Sequence, residues 1–221
     1  MGSGRTELAL SLFGMTRPSR GDILLDGKPV QFVSNQDAID AGIAYVSEDR
    51  LNLGLVQTQS IVKNTAATVL DDLAQPFYWL SPARIRALCD HWIDQLKTKV
   101  SNPDLPVNSL SGGNQQKVVL GRWLATNRTL LVCEDPPAGV DVGAKAEIYA
   151  LLTRALGDGV AILIMSTDFE EIATICHRAV VFSQGAIVDE LSGTRLTTEN
   201  LIQSASAGNI KTTGGGASAI A

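Results

Sequence analysis

Aromatic residues make up only 5% of this chain, cysteines number three, and no stretch approaches the apolar length of a membrane helix. The last two scarcities each exclude something. Cys89, Cys133 and Cys176 are odd in number and far apart, and they show neither CxxC nor Cys/His ligand spacing. That argues against a disulfide framework or a zinc site and fits a reducing compartment. A membrane span needs roughly 20 consecutive apolar residues, and a leader peptide needs a basic segment followed by an apolar one. Neither pattern occurs, so any membrane association is expected to run through a partner. The 18 basic residues form no block and are outweighed by 23 acidic ones, for a net charge of −5. Counterion release, the main source of nucleic-acid affinity, has little to work with here. DNA and RNA partners are therefore not expected. What the chain does have is 221 residues, 45% of them apolar. That is enough for one sizeable core, arranged as one domain or two small ones.

The hydrophobic pattern predicts a helix over residues 6–13, two short strands around the turn Asp26-Gly27, and a short helix in NQDAIDAG leading to the strand IAYV. Residues 60–100 carry helical patterns broken by Pro76 and Pro82, which reads as a helical insert of about residues 55–110. From Leu110 onward helices are expected at 113–126, 144–156 and 169–175. They alternate with apolar strands at 129–133 and 160–165, and strands AVVFS and AIVDE flank Gln184-Gly185. Strands of this β-branched kind between helices predict an α/β domain with a parallel sheet covered on both faces. No internal repeat is found. The domain is expected to occupy residues 1–207, and the Gly/Ser/Thr/Ala-rich residues 208–221 are expected to be a disordered tail.

Several short segments have the composition of nucleotide chemistry. MGSGRTEL opens directly into a helix. A phosphate loop needs glycines whose neighbouring N–H groups wrap the phosphates, a Lys for the β/γ oxygens, a Ser/Thr for Mg²⁺, and a helix N-terminus behind. Gly2, Gly4 and Thr6 suit the end of such a loop, but Arg5 stands in the Lys position, and the leading Gly and its strand are absent. A flexible end or cloning remnant explains Gly-Ser-Gly equally simply. The strand TLLVC ends in Glu134-Asp135, acids at the crevice edge where α/β sheets bind ligands, or else a solvated strand end. Glu48-Asp49-Arg50 follows IAYV at the same kind of edge; by itself it reads as an exposed charged turn. In STD, Ser166 ends a strand, and helix capping suffices for Asp168. In LSGGNQQK, Ser111 is a good N-cap, and glycines tolerate backbone angles that other residues avoid.

Taken in order, these segments resemble the nucleotide-binding domain of ABC transporters to about residue 190, LSGGNQQ being the most specific piece. GSGRTEL, YVSEDR, LSGGNQQKVVLGRWLA and GVDVGAKAEIY resemble the second nucleotide-binding domain of the fused ATP-binding subunit in monosaccharide importers of the ribose, galactose, xylose and autoinducer types. The resemblance implies a P-loop NTPase fold with a parallel-sheet core, a small antiparallel β part and a helical insert, truncated at its N-terminus. The chain would then be half of a protein or a truncated copy. It implies ATP and Mg²⁺ as ligands, a second nucleotide-binding domain and a membrane permease as partners, and a solute-binding protein as an indirect one. The location it implies is peripheral, on the cytoplasmic face of the inner membrane.

By the same resemblance, Gly2, Ser3, Gly4, Arg5 and Thr6 end the Walker A loop, and Glu48 holds the Q-loop position. Ser111, Gly112, Gly113, Asn114 and Gln115 are the signature, Glu134 and Asp135 the Walker B acid and catalytic carboxylate, Asp141 the D-loop, and Thr167 the switch-histidine position. Thr6 and Glu134 would hold the metal. Four positions depart from a competent ATPase. Arg5 replaces Lys, and a planar guanidinium does not mimic a compact ammonium. Glu48 replaces Gln, the Asp-Glu pair is reversed at Glu134-Asp135, and Thr167 replaces His. A misplacement of about 1 Å costs roughly a hundredfold in rate, so the chain's own site is expected to hydrolyse ATP weakly or not at all. The intact signature is expected to act in trans on ATP held by the partner domain. Permease contacts are expected between Leu55 and Trp92. The competing readings are a non-catalytic interaction module, a non-functional gene fragment and, less favoured by charge and motif wording, a soluble ABC ATPase of translation or DNA repair.

Overall fold

A computed structural model describes residues 3–75, 79–126 and 128–213. Helix α1 (Arg5–Leu12) follows Gly4, whose φ of 92° places it in the left-handed region at the N-cap. Two short strands, β1 (Ile23–Leu25) and β2 (Lys28–Val30), pair antiparallel across Asp26-Gly27, where φ is 49° and 74°. Positive φ at both central residues is the two-residue hairpin geometry that Asp-Gly favours. Helix α2 (Asn35–Asp40) starts with a capping box between Ser34 and Asp37 and delivers the chain into β3 (Ile43–Val46).

The insert begins with a single π-helical turn, Arg50–Gly54, followed by α3 (Ile61–Ala66), α4 (Leu70–Leu73), the antiparallel pair β4 (Ala74–Gln75) and β5 (Trp79–Leu80), and α5 (Pro82–Gln95). The helical insert thus also contains a small β pair. The chain then forms α6 (Gly112–Leu124), β6 (Leu130–Glu134), α7 (Val142–Gly157), β7 (Ala161–Met165) and α8 (Phe169–Ile175). It ends in the hairpin β8 (Arg178–Ser183) and β9 (Ala186–Ser192) and in α9 (Thr198–Thr213). Residues 208–213 of the expected tail are thus helical, and residues 214–221 lie outside the described residues.

The central sheet is parallel in the order β3-β6-β7, with Val46 opposite Cys133 and Glu134 opposite Met165. Burial dictates this arrangement. All four residues of β3 and Leu131 through Glu134 of β6 are buried, as a strand covered on both faces requires. Ile43, Val119, Leu120, Val132 and Ile148 sit at 0–1% exposure in one cluster joining the sheet to α6 and α7. Each such side chain contributes roughly 1.5–3 kcal/mol relative to exposure. A smaller cluster centred on Leu191 and Leu201 joins the β8–β9 hairpin to α9. Between β7 and β8 lies a cavity of about 470 Å³ whose walls include Ile164, Phe169, Val180 and Leu201, and Ser3, Arg5 and Thr167 also line it.

Candidate functional site

Because β3, β6 and β7 run parallel, their C-terminal ends share one edge, and the candidate acids follow directly from it. Glu134 closes β6 at 5% exposure and accepts a short hydrogen bond from the Tyr45 hydroxyl on β3. Burial, reinforced by the Glu134 carboxylate, pushes the Tyr45 phenol well above its ordinary range and keeps it a donor. Among the described residues no Lys or Arg forms an ion pair with Glu134. A buried carboxylate held only by a neutral hydroxyl is suited to a cation arriving from outside the chain.

Asp135 comes next, with φ of 35°, its N–H donating to Met165 O at 2.8 Å and its carbonyl accepting from Ala138 N at 2.8 Å. A non-glycine residue in the left-handed region costs roughly 1 kcal/mol or more and is held there by its surroundings. Glu48 is exposed beyond β3 and Thr167 is exposed beyond β7. Asp168 caps α8 through Glu171 N at 3.1 Å, as the sequence leads one to expect. At the helix end, the Arg5 side chain folds back so that Nε donates to Ser3 Oγ at 2.9 Å, Gly4 lies against Gly185, and Thr6 is exposed. Arg5 and Thr167 line the same cavity. The structure therefore brings the α1 end, Glu134, Asp135 and Thr167 to one side of the sheet, with Glu48 beside them; Gly2 lies outside the described residues.

The residues expected to form the signature, 111–115, are arranged differently. Ser111 is the exposed N-cap of α6, yet its hydroxyl accepts from the Asn114 side-chain amide at 3.0 Å and makes no capping bond to a backbone N–H. Asn114 Oδ1 accepts from Lys99 N at 3.0 Å, and buried Gln115 donates to Leu110 O at 3.1 Å. Both amide side chains thus fasten the loop ahead of the helix. The two glycines are not there for unusual φ, since neither has a positive value. Close approach is the reason. A Cβ on Gly112 would lie 2.8 Å from Gly139 O and 2.8 Å from Arg50 Nη2, and one on Gly113 would lie 2.7 Å from Ala144 Cβ. Asp141 caps α7 through Ala144 N at 2.9 Å, beside Gly113. The start of α6 is thereby seated against the loop that follows Asp135.

Three contributors were not legible as such. Tyr45 reads as a core residue within IAYV. Arg50 reads as an exposed charge, but Nη1 donates to Ala138 O at 2.5 Å and Nη2 to Gly139 O at 3.4 Å. Arg122 reads as the polar side of α6. It is buried, and it donates to Asn64 O at 2.7 Å, Gly54 O at 2.6 Å and Asn64 Oδ1 at 3.0 Å. Desolvation pushes its guanidinium down to about 10. Arg122 carries a sequence signal, an Arg after Gly121 in an otherwise apolar run, whereas Arg50 sits in the charged segment Glu48-Asp49-Arg50 and carries none.

A family model described as ABC transporter matches residues 1–138. The chain belongs to the ABC transporter family. Among its relatives, the ribose import ATP-binding protein RbsA of Geobacillus kaustophilus is 39% identical over 209 residues, 95% of this chain and 42% of the relative. The xylose import ATP-binding protein XylG of Pectobacterium atrosepticum is 38% identical over 206 residues, 93% of this chain and 40% of the relative. The chain thus spans about two fifths of these import proteins' length. Its fold matches the ADP conformation of MJ1267, an ATP-binding cassette of an ABC transporter, with a TM-score of 0.75 at 20% identity, covering 94% of this chain and 84% of that one.

Proposed function

We propose that this ABC domain serves a sugar importer by presenting its LSGGNQQ signature to ATP held by a second nucleotide-binding domain, while its own crevice binds nucleotide poorly or hydrolyses it slowly. The observation that carries the reading is the contrast between the two places. Ser111 is exposed at the start of a 13-residue helix that is firmly seated from behind, and adjoining Val142 is 85% exposed, an apolar side chain suited to a partner surface. The Ser111 hydroxyl and the N–H groups of Gly112 and Gly113 would meet the γ-phosphate of the partner's ATP at a helix N-terminus.

In the crevice the acids are reversed, Glu134 is engaged by Tyr45, and the Arg5 side chain is turned onto Ser3. Glu134 and Thr6 would hold Mg²⁺, which supplies charge neutralisation on the phosphates when bound. No group of three or more metal-ligating His, Cys, Asp or Glu occurs among the described residues, so phosphate and water oxygens would complete the shell. Asp135 would orient the attacking water only imperfectly, being one methylene short of Glu. The relatives' names support monosaccharide import. Leu51, Leu53 and Val56, each more than half exposed around the π turn, would give a permease an apolar foothold at the edge of the insert. No helix among the described residues is long and apolar enough to cross a membrane. By the import role in the relatives' names, the domain would sit peripherally on the cytoplasmic face, with the solute-binding protein reached through the permease.

The test mixes the purified chain with the other ATP-binding half of a ribose import relative, such as that of Geobacillus kaustophilus, and follows phosphate release from Mg-ATP. Stimulation that Ser111→Ala reduces tenfold or more supports the proposal. Stimulation untouched by Ser111→Ala would transfer support to a non-catalytic interaction half.

A further inference from the structure

We infer that Arg50 is a positioning residue that braces the start of the signature helix against the loop after Asp135. The inference rests on the trans-acting role just proposed, but its geometry stands within this chain. Arg50 is the first residue of the π turn Arg50–Gly54, and its N–H donates to Glu48 O at 3.0 Å, directly beyond β3. Its guanidinium reaches across to two successive carbonyls, Ala138 O and Gly139 O. Gly112 rests on that same junction so closely that a Cβ would meet Arg50 Nη2 and Gly139 O, each at 2.8 Å.

The other end of the π turn is anchored to the same helix. Gly54 O accepts from Arg122 Nη1 at 2.6 Å, and Arg122 lies on α6 ten residues beyond Gly112. A Cβ on Gly54 would sit 3.2 Å from Arg50 Cβ and 3.4 Å from Val119 Cγ2, so the turn is pressed onto α6 between its two anchors. One short turn, leading out of β3, therefore packs against the signature helix near its start and is bonded to it near its end. π turns of this kind are uncommon and recur at functional sites.

Arg50 Nε is buried and finds no hydrogen-bond acceptor among the described residues. A fold that desolvates a guanidinium donor without satisfying it requires a reason beyond local satisfaction. The planar fork provides one, because it spans two adjacent carbonyls at once, which an ammonium on a single stem does not.

Hydrogen exchange on the purified chain tests the link without any partner. The informative amides are Gln115, which donates to Ser111 O at 2.9 Å, and Ala138 and Val140, which close the opposite loop. Arg50→Ala is expected to speed exchange at both places by at least tenfold, and Arg50→Lys by a smaller factor, while β6 and the centre of α7 keep wild-type rates. Leu152→Ala, a core change remote in kind from this junction, supplies the comparison at equal loss of melting temperature. Unchanged rates at Gln115 and Ala138, or acceleration at one without the other, would overturn the inference. So would acceleration equal to that in Leu152→Ala. Should Arg50→Ala fail to fold, the Arg50→Lys arm carries the same outcomes. Success here combined with a silent Ser111→Ala in the mixed assay would leave the positioning role standing and remove the trans-acting one.

Discussion

Replacing Gly113 by Ala probes the packing that seats the signature. The new Cβ would lie 2.7 Å from Ala144 Cβ, whereas carbon atoms prefer about 3.5–4.0 Å, so the starts of α6 and α7 must part by roughly 1 Å. Overpacking of this size costs about 1–3 kcal/mol, and the better helix propensity of Ala returns up to about 1 kcal/mol. The expected net loss is about 1–2 kcal/mol, or a fall of roughly 2–8 °C in melting temperature for a domain of this size. The steric origin is checked by Ala144→Gly. Alone it should cost about 1 kcal/mol through helix propensity. Combined with Gly113→Ala it removes the clashing carbon, so the double variant should be at least about 1 kcal/mol more stable than additivity predicts. Urea denaturation followed by circular dichroism measures all four proteins. Losses that add within about 0.5 kcal/mol would refute the close-approach explanation for Gly113.

Further expectations follow from the same geometry. Arg122→Met leaves Gly54 O and Asn64 O without their donor, and relief from desolvating the guanidinium offsets part of the loss, so a cost of about 2–4 kcal/mol is expected by urea denaturation; a cost below about 1 kcal/mol would contradict the anchoring role. Glu147 pairs with Lys117 between α7 and α6, and the Lys117 hydrogen bond and charge hold its carboxyl below the ordinary value of 4.5. Its contribution is present above that value and is lost as pH falls through the lower folded one. Glu147→Gln should therefore flatten the dependence of melting temperature on pH below about 4.5, and an unchanged acid slope would count against it. Asp141→Ala removes the α7 cap and should cost about 0.5–2 kcal/mol in thermal denaturation. An effect of zero would mean that water caps the helix equally well.

The strands and most helices were legible because local patterns determine them. Short continuous apolar runs placed IAYV and LLVC, Asp168 marked the start of α8, and Asp-Gly marked the first hairpin. The π turn, the β4–β5 pair and the C-terminal helix were not legible. α9 runs on into residues 208–213, the start of the stretch whose composition suits a tail, and Leu201 of the same helix is buried at 2% against the β8–β9 hairpin. At the site, residue identity indicated the acids and the signature, but not what each side chain touches. Arg50 and Arg122 bond to carbonyls 88 and 68 residues away, contacts that no local window contains. The signature glycines read as sources of backbone freedom for the same reason. Their function depends on Gly139 and Ala144, which the fold alone brings beside them.

The division of labour we propose has this chain lend its signature and contribute little chemistry of its own. The most direct measurement is phosphate release by the chain alone and in the mixed assay, with Ser111→Ala and Asp135→Asn compared side by side. Negligible turnover is expected from the chain alone. In the mixture, Ser111→Ala is expected to lose stimulation by roughly tenfold or more, and Asp135→Asn to change it within about twofold. Robust turnover by the chain alone that disappears with Asp135→Asn would contradict the proposed division of labour.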